Sequence, residues 1–184
     1  EAWRWYRTFL GVDVRIFDDA SVANLMLPYT GGEPRERHAV LAFNLQGGGG
    51  FEIWQHKEKT PKYAENIHQL GDTGIHITKI KSYDTENSMK LLKDNGATVS
   101  GALERDPGGR KHFFVRDPWN NIFQVIEDDR FFHRKTPFPH GGVFGAIIGS
   151  SDINRSLKVY QGILNYDEIV YDITGHFLDM ESIE

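Results

Sequence analysis

The alternation of apolar and polar residues predicts a repeated order of strands and helices. Apolar residues recur at every second position in the segment 74–80, as in a strand whose side chains point to alternate faces. Residues 84–95 have helical spacing of their apolar side chains and end in an Asn-Gly pair, which is typical of a helix C-terminus. Further strands are predicted near Thr98, at 111–115 and at 122–127. The order in this part of the chain is therefore strand, helix and three strands.

The same order recurs on both sides of this unit. Residues 2–10 predict a helix, and strands follow near residues 12–16, 39–45 and 51–55, so this first unit lacks only an initial strand. The four glycines at 47–50 open a strand rather than a helix, which favours a hairpin turn over a phosphate-binding loop. A strand at 143–148 and a helix capped at Ser151-Asp152 begin a third unit.

The segment before the last strand of the second unit is a turn signature. Asp117-Pro118 is followed by Asn120-Asn121, and asparagine tolerates the left-handed backbone that a tight reversal needs. In the strand that follows, Gln124 is a polar residue among large hydrophobic ones. Strand periodicity places it on the face of Ile122 and Ile126, and places Phe123 and Val125 on the other face.

Composition limits the class of protein. The chain has 184 residues, 39% hydrophobic content, a formal charge of −5 and no cysteine. A globular protein that binds neither nucleic acid nor membrane is expected, because the net charge is negative and no run of about 20 apolar residues is present. Any metal ion would be held by imidazole, carboxylate or amide groups. A cytoplasmic location is the default expectation.

The repeated unit and the Asp-Pro turn resemble the vicinal oxygen chelate superfamily, which includes glyoxalase I, bleomycin resistance proteins and extradiol dioxygenases. Gly-Ile-His at 74–76 and the Tyr-x-x-x-Leu-Gly run at 6–11 add to the resemblance. It implies an α+β fold in which repeated βαβββ units form a half-open barrel. We predict paired units over residues 1–132, the second at 74–127, a linker at 133–140 and the start of a third, truncated unit at 141–184.

The resemblance also implies a metal site, because ligands in such proteins come from the first and last strand of each unit. Carried over by position, the ligands are Glu52, His76 and Gln124, and the corresponding position in the third unit is Gly145. Each of the three polar residues interrupts an apolar strand, and burying one without a partner costs about 1–3 kcal/mol. The predicted pocket around them consists of Trp54, His56, Thr78 and Phe123.

Three functions are compatible with this site. The first is a metal-dependent lyase or isomerase, in which a divalent ion (Zn, Ni, Fe, Mn or Co) stabilises an enediolate of a small oxo-substrate and Glu52 is the catalytic base. The second is a non-catalytic protein that sequesters a small molecule between Trp54 and Phe123. The third is a ring-cleaving dioxygenase, which is disfavoured because Gln124 stands where the carboxylate ligand would be. The incomplete units predict a homodimer or a longer chain.

Overall fold

The computed structural model describes the chain except residues 26, 30, 59, 61, 63, 64, 67, 134 and 184 and the side chain of Tyr29. Two compact units make up the chain. The first comprises Glu1–Ile67 and Phe131–Val143, and the second comprises His68–Arg130 and Phe144–Glu184. Within the described residues, no helix is both long and apolar enough to cross a membrane.

The first unit consists of one helix and a three-stranded antiparallel sheet. Its elements are α1 (Ala2–Leu10), β1 (Val14–Val22), β2 (Glu36–Phe43) and β3 (Phe51–His56), with strand order β1-β2-β3. The predicted helix and strands are confirmed. Gly11 ends α1 in the left-handed conformation, with φ of 64°. Tyr6 of the helix stacks on Phe51 of β3 with 4.7 Å between the ring centroids, which fixes the helix against the sheet.

Buried polar residues attach the segment 131–143 to the rest of this unit. The Asn44 side chain donates to the backbone oxygen of His140 over 3.5 Å, and His140 Nε2 donates to the backbone oxygen of Phe9 over 2.8 Å. The Gln46 side chain donates to Thr136 Oγ1 over 3.0 Å. The segment 133–140, predicted as a linker, therefore contributes hydrogen bonds to the first unit.

The second unit contains a complete βαβββ order followed by a further strand and two helices. Its elements are β4 (Gly74–Ser82), α2 (Thr85–Asp94), β5 (Thr98–Arg105), β6 (Lys111–Arg116), β7 (Ile122–Glu127), β8 (His140–Gly149, from Phe144 onward in this unit), α3 (Ile153–Gly162) and α4 (Leu178–Glu181). The strand order in the sheet is β5-β6-β7-β4-β8. Strands β4 and β7 are parallel, whereas β6 is antiparallel to both β5 and β7. The predicted mixed α+β fold is confirmed.

The turn before β7 is held by its first aspartate, as the sequence predicts. Asp117 Oδ1 accepts hydrogen bonds from the backbone nitrogens of Trp119 and Asn121, both at 2.8 Å. Its Oδ2 accepts from the Asn121 amide at 2.7 Å. Asn120 has a φ of 68°, the left-handed conformation that asparagine tolerates. The turn therefore sets where β7 begins and which of its residues pair with β6.

The two strand-to-helix junctions of the second unit are built alike, which supports the internal repeat. Before α2, Ser82 and Ser88 hydroxyls lie 2.8 Å apart, and Asp84 caps the helix by accepting from the Asn87 backbone nitrogen at 3.0 Å. Before α3, the corresponding residues repeat these bonds. The Ser150 and Ser156 hydroxyls lie 2.7 Å apart, and Asp152 accepts from the Arg155 backbone nitrogen at 2.9 Å.

The sheet of the second unit is buried on both faces. One face, here called the Phe123 face, is the side on which α2 packs. Its large buried side chains are Ile80, Phe113, Val115, Phe123 and Val125. The other, here called the Gln124 face, carries a cluster of Ile77, Phe114 and Ile122, against which Ile183 and Met180 pack. The C-terminal segment thus covers part of the Gln124 face.

Candidate functional site

The register of the second sheet determines which polar side chains share the Gln124 face. Gln124 of β7 is the Cα partner of Lys79 in β4 and of Phe114 in β6. Partners across neighbouring strands point to the same side, and so do residues two apart in one strand. His112, two residues before Phe114, therefore joins Lys79 and Gln124 on this face.

His76 lies on the opposite face, so the prediction that it shares one metal ion with Gln124 is wrong. The Cα partner of Phe123 is Thr78, and His76 precedes Thr78 by two residues. These three residues are therefore on the Phe123 face. The ring of His76 contacts the ring of His68 edge-on, with centroids 4.8 Å apart.

The repeated helix caps explain the one-residue error in the expected ligand position. Aligning Asp84 with Asp152 places Ile77, and not His76, at the position of Gly145. Neither isoleucine nor glycine offers a side-chain ligand. The motif Gly-Ile-His thus imitates a ligand position in sequence, while strand alternation directs its histidine to the other side of the sheet.

Glu52 belongs to the first unit, where it shares one face of β3 with Trp54 and His56. The exposed carboxylate of Glu52 accepts a hydrogen bond from Trp54 Nε1 at 2.8 Å. The guanidinium of Arg37 lies over the Trp54 ring, 4.8 Å from its centroid, which is a favourable cation–π geometry. Glu52, Trp54 and His56 therefore lie side by side on one face of β3.

The predicted pocket residues Thr78 and Phe123 do not face Gln124. Phe123 is 2% exposed and is part of the core on its own face. The sequence pattern had already separated Phe123 from Gln124 by alternation, and the register confirms that separation.

On the Gln124 face, a buried amide, a buried imidazole and a partly exposed carboxylate form a chain of neighbouring groups. Gln124 Nε2 lies 3.1 Å from His112 Nδ1, and His112 Nε2 lies 3.2 Å from Asp179 Oδ2. Burial is the main cause that lowers the pKa of His112, and the nearby Asp179 only partly opposes it. The neutral imidazole therefore accepts from Gln124 through Nδ1, while its buried Nε2–H lies near the Asp179 carboxylate without forming a hydrogen bond among the described residues. In this arrangement the other amide atom, Gln124 Oε1, is buried and has no hydrogen-bond partner in the described structure.

Lys79 adds an amine beside this chain. Burial lowers its pKa, and the positive charge of Arg110 lowers it further. The carboxylate of Asp106 opposes this shift, but it is already paired with Arg110 through two hydrogen bonds of 3.1 and 3.0 Å. Among the described residues, none forms a hydrogen bond or ion pair with the Lys79 ammonium group. The amine is thus partly desolvated and unpaired.

The Gln124 face does not fit the divalent ion that the family resemblance implies. Gln124 supplies only a neutral oxygen, which binds a divalent ion more weakly than a carboxylate does, and the neighbouring Lys79 adds no anionic ligand. Within the described part of the chain, no group of three His, Asp or Glu side chains is placed to hold a metal ion. The chemistry available on this face is that of an amide, an imidazole and an amine.

Sequence reasoning missed three residues of this cluster, namely Lys79, His112 and Asp179. For Lys79 and His112 the signal was present, because both lie at alternate positions of predicted strands and face the same way as Gln124. Asp179 had no such signal. It reaches His112 from the C-terminal helix α4, and only the tertiary packing of that segment brings the two together.

The fold is that of known glyoxalase-like structures. Glyoxalase I from Zea mays matches with a TM-score of 0.58 and 16% identity, over 89% of this chain and 50% of the maize chain. A proposed dioxygenase from Bacillus subtilis matches with a TM-score of 0.55 and 15% identity, over 86% of this chain and 48% of the other. A glyoxalase family protein from Bacillus cereus matches with a TM-score of 0.53 and 10% identity, over 62% and 76% of the respective chains.

These matches define the fold class. The chain has a glyoxalase-like fold, as its repeated units predict. It spans about half the length of the maize and Bacillus subtilis chains. No protein-family model and no curated protein sequence matches it. At such low identity the likeness establishes the fold, and the activity has to be argued from the site.

Proposed function

We propose that the protein binds a small hydroxy-carbonyl compound on the Gln124 face of the second unit, without a metal ion at that position. The observation that carries this proposal is the buried, unpartnered Oε1 atom of Gln124 beside the unpaired amine of Lys79. The amide oxygen accepts a hydrogen bond from a ligand hydroxyl group. An N–H group of Lys79 donates to a carbonyl oxygen two or three atoms away. The proposal therefore favours the binding module over the metal-dependent lyase.

The bonding of His112 supports this assignment of roles. Because its Nδ1 atom accepts from Gln124, the amide cannot rotate without losing that bond. Its oxygen is therefore held in one direction. A fixed acceptor that a ligand can satisfy gives selectivity, because a ligand lacking the hydroxyl group leaves the buried oxygen unpaired.

The proposal is tested by comparing dihydroxyacetone with acetone in a calorimetric binding assay. The two ketones differ in the hydroxyl groups that Gln124 would recognise. The wild-type protein should prefer dihydroxyacetone by about tenfold, the value of one hydrogen bond of about 1.4 kcal/mol. The variant Gln124→Met, which has similar volume but no amide oxygen, should lose this preference. Equal affinities in the wild-type protein, or a preference that persists in the variant, would contradict the proposal.

Metal content in the same two proteins distinguishes the lyase. After equilibration with Zn²⁺ or Mn²⁺ and removal of free ions, we expect no bound ion that depends on Gln124. A stoichiometric ion lost in Gln124→Met would instead favour metal-dependent chemistry. Oxygen uptake with a catechol in the presence of Fe²⁺ would favour the dioxygenase.

Metal-dependent lyase or isomerase activity remains the second candidate because of Glu52. This exposed carboxylate lies in the last strand of the first unit, as Gln124 does in the second, and glyoxalase I from Zea mays has the same fold. Glu52→Gln retains an oxygen that accepts from Trp54 Nε1 but removes the anionic ligand and the base. A lyase should lose about 10²–10⁴ in turnover of an α-oxo-thiohemiacetal. Unchanged metal content and turnover would exclude Glu52 from that chemistry.

A further inference from the structure

Lys79 differs from Lys81, the buried lysine of the same strand, in the groups that surround its amine. Lys81 is 6% exposed, and its Nζ donates to the backbone oxygen of Arg130 over 2.7 Å. Lys79 is only partly buried, and no described residue pairs with its amine. The two residues share a face, because they lie two apart in β4. The structure thus provides one engaged lysine and one free lysine in the same strand.

The stem of Lys79 lies against a residue without a side chain. A Cβ atom placed on Gly145 of the neighbouring strand β8 would lie 3.6 Å from Lys79 Cδ. The stem therefore passes over the backbone of β8, and β8 contributes no side chain there. Gln124 is the neighbour of Lys79 on the other side, in β7. The amine is flanked by a hydrogen-bond acceptor and by backbone, and no carboxylate in the described part of the chain is bound to it.

From this geometry we infer that Lys79 is a nucleophile that captures the carbonyl group of the bound compound as a Schiff base. This inference rests on the proposed function and deepens it by assigning covalent chemistry to the same face. The neutral amine attacks the carbonyl carbon, a C–N bond forms, and the C=O π electrons move to the oxygen. A proton passes from nitrogen to oxygen to give a carbinolamine. Loss of the hydroxyl group as water then leaves a C=N bond to Lys79.

The charges around Lys79 favour this reaction. An amine reacts only in its neutral form, and desolvation together with the positive charge of Arg110 lowers the pKa of Lys79. Asp106, which would otherwise stabilise the ammonium form, is held by Arg110. Gln124 is the cross-strand neighbour of Lys79. In the proposed reaction its Oε1 accepts from a hydroxyl group adjacent to the reacting carbon, which orients the carbonyl group towards the amine.

Reductive trapping tests the inference. The protein is incubated with dihydroxyacetone and cyanoborohydride, which reduces an imine to a stable secondary amine, and the modified lysines are identified by peptide mass spectrometry. Lys79 should be modified at least about tenfold faster than Lys93, an exposed lysine of α2, and faster than the engaged Lys81. The matched variant Lys79→Arg keeps the positive charge but cannot form an imine. The total number of modified lysines in this variant should fall to the number contributed by the other lysines alone. Its circular dichroism spectrum should remain that of the wild-type protein.

Equal rates at Lys79 and Lys93 would overturn the inference, as would unchanged total modification in Lys79→Arg. The outcome is separable from that of the proposed function. If dihydroxyacetone is preferred over acetone through Gln124 but Lys79 is not selectively trapped, the binding proposal stands and covalent capture is wrong. If Lys79 is selectively trapped but the preference does not depend on Gln124, covalent capture stands and the binding proposal is wrong.

Discussion

Lowering the pH should destabilise the first unit through His140. This side chain is fully buried, and its Nε2 donates to the backbone oxygen of Phe9. Burial lowers its pKa to about 4, from the ordinary value of 6.5 that it regains on unfolding. Between these two values the unfolded chain binds a proton at His140 and the folded chain does not. The stability that comes from burying a neutral His140 is therefore fully present above pH 6.5 and is lost as the pH falls towards 4.

The size of the effect follows from the two pKa values. At pH 4.5 the free energy of unfolding should be about 2.5 kcal/mol lower than at pH 7, from this residue alone. The variant His140→Gln stays neutral at both pH values and can still donate to the Phe9 oxygen. Its loss of stability over the same range should be smaller than that of the wild-type protein by about this amount.

Urea unfolding followed by tryptophan fluorescence measures this difference. Trp3, Trp5 and Trp54 all lie in the first unit, so the signal reports mainly on its unfolding. His133→Gln is the matched control, because His133 is exposed in the same segment and its replacement should leave the wild-type pH dependence intact. If His140→Gln and the wild-type protein lose the same free energy between pH 7 and pH 4.5, burial of a neutral His140 is refuted.

Two further predictions concern the backbone. Gly11→Ala should lower the free energy of unfolding by more than about 2 kcal/mol, because φ is 64° and the new Cβ would lie 2.7 Å from a Phe138 ring atom. Gly31→Ala is the control: φ is 82° but no atom lies within 4 Å, so only backbone strain of about 1 kcal/mol is expected. Equal losses of stability in urea unfolding would contradict the steric argument. Asp84→Ala and Asp152→Ala should each lower the free energy of unfolding by about 1 kcal/mol, because each removes a helix cap. An unchanged thermal unfolding curve for either variant would show that its cap contributes nothing.

The sequence by itself determined the order and type of the elements. Alternation predicted β4 and β7, helical spacing predicted α1 and α2, and the Asp117 turn was predicted with its left-handed asparagine, as the structure confirms. These features depend on residues close together in the chain. Local backbone preferences and the period of burial therefore specify them without knowledge of the tertiary structure.

The composition of the site was decided by tertiary structure. Whether His76 or its neighbour Ile77 faces Gln124 depends on the register between β4 and β7, and shifting the register by one residue reverses the face of every side chain. The contact of Asp179 with His112 depends on the packing of a helix that lies far away in sequence. The spacing of sequence motifs predicts neither the strand register nor this helix contact, because both arise from hydrogen bonding and packing between segments that are distant in the chain.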